Sequence, residues 1–431
     1  MIDNFDVVSL MIPAMLIGLI ILAQPLWGLF LVLFLSPLKT FGEEVLFLAR
    51  LLGMWIVAVT IARLLAVRVK IRWIGVEEPV ILVAIGMSLS FVFSFKTREV
   101  AESIISLVSL YGLSLIIFIL IQNRKQLKSI VLVFLVSGIL PIVQGILQGL
   151  QTHPDRTYAR VSGTFTLPTG LGAFLIPIVL LAFVMTFYPK LTILMRGFIL
   201  IIFGGGILAL LLTLSRGSIY GALIGGIFIY LTLRSQMKYK RLTAIIIWGI
   251  CIFAIWYLWP SIEGRVIVPI MEYINTGKSG DVTQRLGELS LIIPITIENN
   301  FMGTGIGNYA QSAIRYRVTY KVFDLPLVPH TILLYFFGEV GLVGAIGFLW
   351  LLGRIFQRAK STYHLMMDMS PDIVFYVYIG SLGSLIGYIS YLVTHSGFFQ
   401  NEIWILMALF FVSIRLAEDK LQNPDFVHFA R

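Results

Sequence analysis

The sequence predicts an all-α polytopic membrane protein, a bundle of 12 or 13 transmembrane helices with one large loop on the outer side. Three observations predict it. Hydrophobic residues fill 58% of the 431 positions and charged residues only 13%, unlike an ordinary soluble domain. Apolar blocks recur from end to end, each long enough for a bilayer crossing, which takes ~20 residues. The blocks are also too continuously apolar for barrel strands, which alternate every second residue. Helices are then the means by which the backbone satisfies its polar groups in lipid.

In order, the blocks fall near 7–23, 25–37, 45–62, 79–95, 103–121, 129–149, 170–187, 197–213, 217–233, 242–260, 330–353, 372–394 and 402–416. The second is short and follows Gln24-Pro25, so the first two are either separate spans or a broken hairpin. Residues 1–260 form the N-terminal spans, 261–329 the large loop, and 330–431 the C-terminal spans and tail of one integrated membrane domain. Within the loop, 283–298 has helical apolar spacing broken at Pro294, and 308–323 fits helix or strand.

Lys and Arg crowd alternate connectors. Nineteen fall in the set that includes Arg124, Lys190, Arg234, Arg354 and the tail, against six in the intervening set of Lys39, Lys96, Arg98, Arg156, Arg160 and Arg216. Basic residues favour the cytoplasmic side, which places the large loop outside and the C-terminus inside. Thirteen spans would set the acidic N-terminus outside and twelve inside. The formal charge of +10 is spread between membrane blocks, a pattern of topology and contact with membrane lipids rather than of nucleic-acid binding. The single cysteine, Cys251, permits no intrachain disulfide. Residues 1–6 carry Asp3 and Asp6 without the basic start of a cleavable signal.

Chemistry is sought on the outer face. Arg216, in LLTLSRGSIYGALIGG, sits where two blocks meet with almost no connector. It reads either as an arginine snorkelling to the headgroups or as a fork pairing two phosphate oxygens. Arg285 opens an amphipathic segment that an interfacial helix would equally explain. Gly303, Gly305 and Gly307 alternate, as in a tight turn or in a nest of backbone N–H groups for an anion. Tyr309, Tyr316 and Tyr320 read as an interfacial aromatic belt or as stacking platforms for sugars. His330, after Pro326 and Pro329, is a polar anchor or a base, with an ordinary pKa near ~6.5. Gly341 and Gly344 mark a close helix contact or a bend, and His395 reads as a turn residue or as a side chain facing the same cavity. No DxD, HExxH, Cys/His cluster or Walker A motif occurs, so no metal or other cofactor is expected.

RVSGTFTLPTGLGAFL, TLSRGSIYGAL and TQRLGELSLIIPITIENNFMGTGIGNY, in that order, resemble motifs of the O-antigen ligase/polymerase superfamily of bacterial envelope enzymes. The ligase pattern continues with His, then Asn, Ser or Gln, nine residues, Gly, two residues and Gly. His330, Gly341 and Gly344 fit it, and Thr331 departs at the second position. The resemblance covers roughly 155–415. It implies metal-independent transfer of a glycan from undecaprenyl diphosphate at the periplasmic face of the inner membrane. Arg216, Arg285 and His330 map onto the family's two arginines and histidine, with Arg160 a further match and Gly303, Gly305, Gly307 and Tyr309 as substrate-binding candidates. The acceptor is lipid A core for a ligase, or another glycan repeat for a polymerase. Two arginines opposite a base suit an inverting displacement. A transporter of a small anion or lipid-linked sugar is the contrasting reading. It would call for charge deep in the bundle and related halves, whereas Arg50 is the only basic residue well inside a block and no repeat is visible.

Overall fold

A computed structural model of the chain describes residues 24–38, 52–60, 73–92, 94, 96–151, 160–234, 290–309 and 331–422, with isolated positions at 22, 62, 249, 256, 271, 312, 314, 315 and 329. All regular structure among them is helical. Before the large loop come α1 (Pro25–Leu35), α2 (Glu77–Ser90), α3 (Thr97–Leu120), α4 (Arg124–Ser137), α5 (Ile139–Gln151), α6 (Pro168–Thr186), α7 (Ile193–Leu212) and α8 (Arg216–Leu233). After it come the single turn α9 (Ile332–Leu334), a π-turn (Tyr335–Val340), α10 (Leu342–Asp368), α11 (Ile373–Leu392) and α12 (Asn401–Gln422).

Among the described residues, seven stretches are long and apolar enough to cross a bilayer: α3, α4 with α5, α6, α7, α8, α10 and α11. The protein is a multi-pass membrane protein. α12 is buried over most of its length as well but carries Glu402, Arg415 and Glu418. The expected blocks at 7–23 and most of 242–260 lie outside the described residues. The block at 129–149 proves to be two helices meeting at Gly138. Pro141 explains the break, because it has no N–H to return to the carbonyl of Ser137. The ladder resumes with Ile142 N–H bonded to Gly138 O at 3.0 Å.

α6 and α11 are the axial spans, each with 83% of its most apolar 18-residue stretch buried against 28–50% in the other five. Around them α8 packs on α11, α7 on α6, α12 on α11 and α3, and α2 on α10. Lipid supplies no hydrophobic drive between helices, so close contact rests on small residues. α8 and α11 cross at paired glycines: a methyl group on Gly225 would come within 2.5 Å of the Gly383 carbonyl oxygen, and one on Gly387 equally near Gly221 O. Gly86 of α2 abuts the backbone of Gly344, and a Cβ on Gly347 would sit 2.7 Å from Val83 N.

Because the helices turn back on one another, the expected outer connectors gather at one end. Thr164 donates to Pro37 O (2.6 Å), and Ser94 to Ile306 O (2.9 Å). Phe399 packs edge-on against Tyr335 at 5.9 Å. At the other end Arg124 pairs with Asp372 at 3.1 Å. There Arg415 donates to the carbonyls of Phe118 and Ile121, closing the C-terminus of α3.

Candidate functional site

The centre is the turn from α7 to α8, three residues long. Leu214 takes a left-handed conformation (φ +49°), at a cost on the order of 1 kcal/mol for a residue with a side chain. The turn is fixed by Thr213 Oγ1, which accepts from Ser215 N–H at 3.1 Å, and by the Ser215 and Ser218 hydroxyls, 2.9 Å apart. Gly172 of α6 leaves room for them, since a Cβ there would lie 2.8 Å from Ser218 Cβ. Arg216 is the first residue of α8 and is half-buried. It stands at a helix N-terminus, the positively polarised end.

Arg160 is brought to the same turn. Gln148 clamps the preceding connector, its Oε1 accepting from Ser162 N–H (3.1 Å) and Gly163 N–H (2.8 Å) while its amide donates to Gly163 O (3.2 Å). Val161 N–H then reaches Leu212 O at 3.3 Å, and Arg160 Nε donates to Thr213 O at 3.0 Å. The two arginines flank one three-residue turn.

His395, by its sequence a turn residue or a cavity residue, lies against the same turn. A Cβ on Gly217 would lie 2.9 Å from its Nδ1. The ring stacks on Tyr391 at 4.5 Å and 10°, with Nδ1 2.9 Å from Thr394 Oγ1. The signal available beforehand was position alone, in an outer-face turn.

The glycine run folds as a latch. The helical run 290–298 continues through Pro294, contrary to the expected break. Leu291 and Ile295 bury against Tyr309 and Leu334, and this apolar contact offsets the bond the proline forgoes. Asn300 and Phe301 then turn left-handed (φ +49° and +64°), with Phe301 N–H bonded to Thr296 O at 2.8 Å. Gly303, Gly305 and Gly307 all have positive φ (+77°, +86°, +80°), and added methyl groups would strike Glu339 O, the Ser94 backbone and the Glu99 carboxylate respectively. Only glycine meets both demands.

The facing partner is the π-turn, whose wide winding frees two carbonyls from the helix ladder. Thr304 N–H takes Gly338 O at 2.7 Å, Gly305 N–H takes Glu339 O at 3.1 Å, and Leu342 N–H returns to Phe301 O at 2.8 Å. The Glu339 side chain, 4% exposed, accepts from the amides of Gly307 and Tyr309, the latter at 3.3 Å. The anion this nest holds is therefore a residue of the chain itself. Tyr309 is 1% exposed with its ring in the small core, which removes it as a stacking platform for a sugar. Glu339 lies ahead of the span that begins at Leu342. Burial pushes its carboxyl up to about 7, against the opposing pull of the two amides. Lys96 and Glu99, themselves paired at 2.9 Å, act on it from the start of α3.

Arg285 and His330 lie outside the described residues. Thr331, next to His330, is described: its Oγ1 accepts from Leu334 N–H at 3.2 Å and caps α9. Gly344 makes the close helix contact expected of it, and Gly341 (φ +92°) the bend.

Residues 197–349 match the family model described as O-Antigen ligase. The match runs from α7 into α10, taking in the Arg216 turn and the glycine latch and leaving Arg160 and His395 beyond its limits. Among curated proteins nothing matches the chain.

Proposed function

Residues 197–349 of this chain form an O-antigen ligase family domain, and from that premise we propose that the protein transfers a glycan from undecaprenyl diphosphate at the periplasmic face of the bacterial inner membrane. The observation that carries the reading is the Arg216 turn, where two guanidinium groups flank a helix N-terminus at one end of a membrane bundle. Diphosphate charge is favoured at such a place.

In the proposed step the acceptor hydroxyl oxygen attacks the sugar C1 and inverts it. The C1–O bond to the diphosphate breaks, and its electron pair leaves with the phosphate oxygen. Arg216 and Arg285 stabilise that growing charge, an effect worth ~3–4 kcal/mol per donor in a partly dehydrated site. His330, acting in its neutral form, takes the acceptor proton. No metal enters the scheme. Arg160 supports the Arg216 side of the donor site. The glycine run serves by holding the large loop to the bundle.

The ligase form, with lipid A core as acceptor, is favoured over a repeat-unit polymerase by the segment that begins at His330. Threonine in place of the pattern's Asn, Ser or Gln is a small chemical change, since Thr331 makes the cap that Asn or Ser would make.

The test is reconstitution of the purified protein with an undecaprenyl diphosphate-linked glycan and each acceptor. A single glycan block joined to lipid A core supports the ligase, and a ladder of repeats the polymerase. If neither product forms, and uptake of anion or lipid-linked sugar survives Arg216→Ala, the enzyme reading gives way to transport.

A further inference from the structure

The strongest group that the proposed chemistry leaves unused is Glu339. It is buried at 4% exposure in a short π-turn, and four successive interactions join that turn to the run 301–309: Thr304 to Gly338 O, Gly305 to Glu339 O, and the Gly307 and Tyr309 amides to the Glu339 carboxylate. A second wall closes the run from the other side, where Ser94 donates to Ile306 O at 2.9 Å. A buried carboxylate is costly unless it is well bonded, so an ordinary packing site would hold an apolar residue here.

The place of this latch in the chain gives it consequence. The run lies between positions 285 and 330, and through α9 the π-turn follows directly from 330 and 331. Fastening 301–309 to 338–342 therefore shortens the free path on both sides of the large loop. Displacements of about 1 Å at a reacting group can cost ~100-fold in rate, which sets the value of such a tie.

We infer that Glu339 is a positioning residue, whose side-chain oxygens hold the Gly303–Tyr309 latch and thereby fix the large loop against the membrane bundle for glycan transfer. The inference rests on the transfer reading for its effect on rate, but the latch itself can be tested apart from it. Donor anchoring is assigned to the α7–α8 turn, on other elements, so the effect belongs in turnover rather than in donor binding.

The informative pair is Glu339→Leu and Glu339→Gln in the full-length protein. Leucine fills the space and removes the acceptor, whereas glutamine keeps a carbonyl for the two amides. Glu339→Leu is expected to lower kcat at least tenfold with donor KM within threefold, and to speed hydrogen exchange of amides 303–309 at least tenfold. Glu339→Gln is expected to restore both to near wild type. Wild-type turnover and exchange in Glu339→Leu would overturn the inference, as would equal damage in the two variants. If Glu339→Leu does not fold, Ser94→Ala loosens the same run from its other wall. Several-fold faster exchange at 303–307 then supports the latch, and unchanged exchange removes it. Should the wild-type protein transfer no glycan, the transfer reading falls while the exchange measurement still decides the latch.

Discussion

Arg216 and Glu339 are opposite cases of a charge at a boundary. Arg216 is half-exposed at the start of α8, where a planar fork matches two phosphate oxygens and an ammonium does not. Arg216→Lys should therefore lower kcat/KM by ~100-fold, the equivalent of ~3 kcal/mol of lost transition-state stabilisation, with the melting temperature unchanged. Near-normal transfer by that variant, measured with a lipid-linked donor, would take Arg216 out of the site. Glu339 is buried, and burial raises its carboxyl from 4.5 to about 7 in the folded protein. A raised folded value means stability that is fully present below 4.5 and lost as pH rises through about 7. The loss by pH 8 is on the order of 3 kcal/mol if unfolding exposes the group fully. The detergent-solubilised protein should accordingly melt at a lower temperature at pH 8 than at pH 5.5, and Glu339→Gln should flatten that difference by melting higher at pH 8. An identical pH slope in both proteins would show that Glu339 is ionised at little cost.

At the scale of elements, the crossing of α8 on α11 makes the sharpest demand. Gly225 meets Gly383 O and Gly387 meets Gly221 O at contacts that no side chain fits. Gly225→Leu should cost several kcal/mol through forced separation of the helices, read as a lower yield of folded protein and a lower melting temperature. Gly226→Leu, one residue on, should be mild, because a Cβ there is 3.6 Å from Leu180 in ordinary contact. In the sequence Gly221 and Gly225 stand four residues apart, the small-residue spacing of a close-packing helix face, while their partners on α11 stay hidden, since periodicity marks a face without naming its neighbour. The same limit applied to His395, whose value depends on α11 ending beside the Gly217 turn. Glu339 was illegible for a related reason. It reads as one acid inside an apolar block, and its role comes from a loop some thirty residues earlier that folds back on it. The Arg216 turn was legible because adjoining apolar blocks leave a charged residue nowhere but the membrane boundary. Pro294 misled because its helical φ and a single missing bond are outweighed when Leu291 and Ile295 bury on Tyr309.

For the whole molecule, the question is which end faces outward, and the fold makes it a single choice. Ser94, Lys96 and the turns at 160–167, 213–215 and 393–400 gather with the glycine latch at one end, while Arg124, Lys128, Lys190 and Arg196 lie about the connectors of the other. Flipping one connector would require flipping all, because α6, α7, α8, α11 and α12 form one packed bundle, with α7 and α8 on α6 and α8 and α12 on α11. Basic residues resist translocation, so the end rich in lysine and arginine should be cytoplasmic and the Arg216 turn periplasmic. In a background with Cys251 replaced, single cysteines at the exposed positions Arg98 and Ser396 should react with a membrane-impermeant thiol reagent applied to spheroplasts. Cysteines at the exposed positions Gln122 and Lys190 should react only after the membrane is opened. The reverse pattern would place the Arg216 turn in the cytoplasm, on the wrong side for a donor presented to the cell envelope, and periplasmic transfer would fall with it. Labelling at both ends from one side would contradict the bundle packing and so the fold itself.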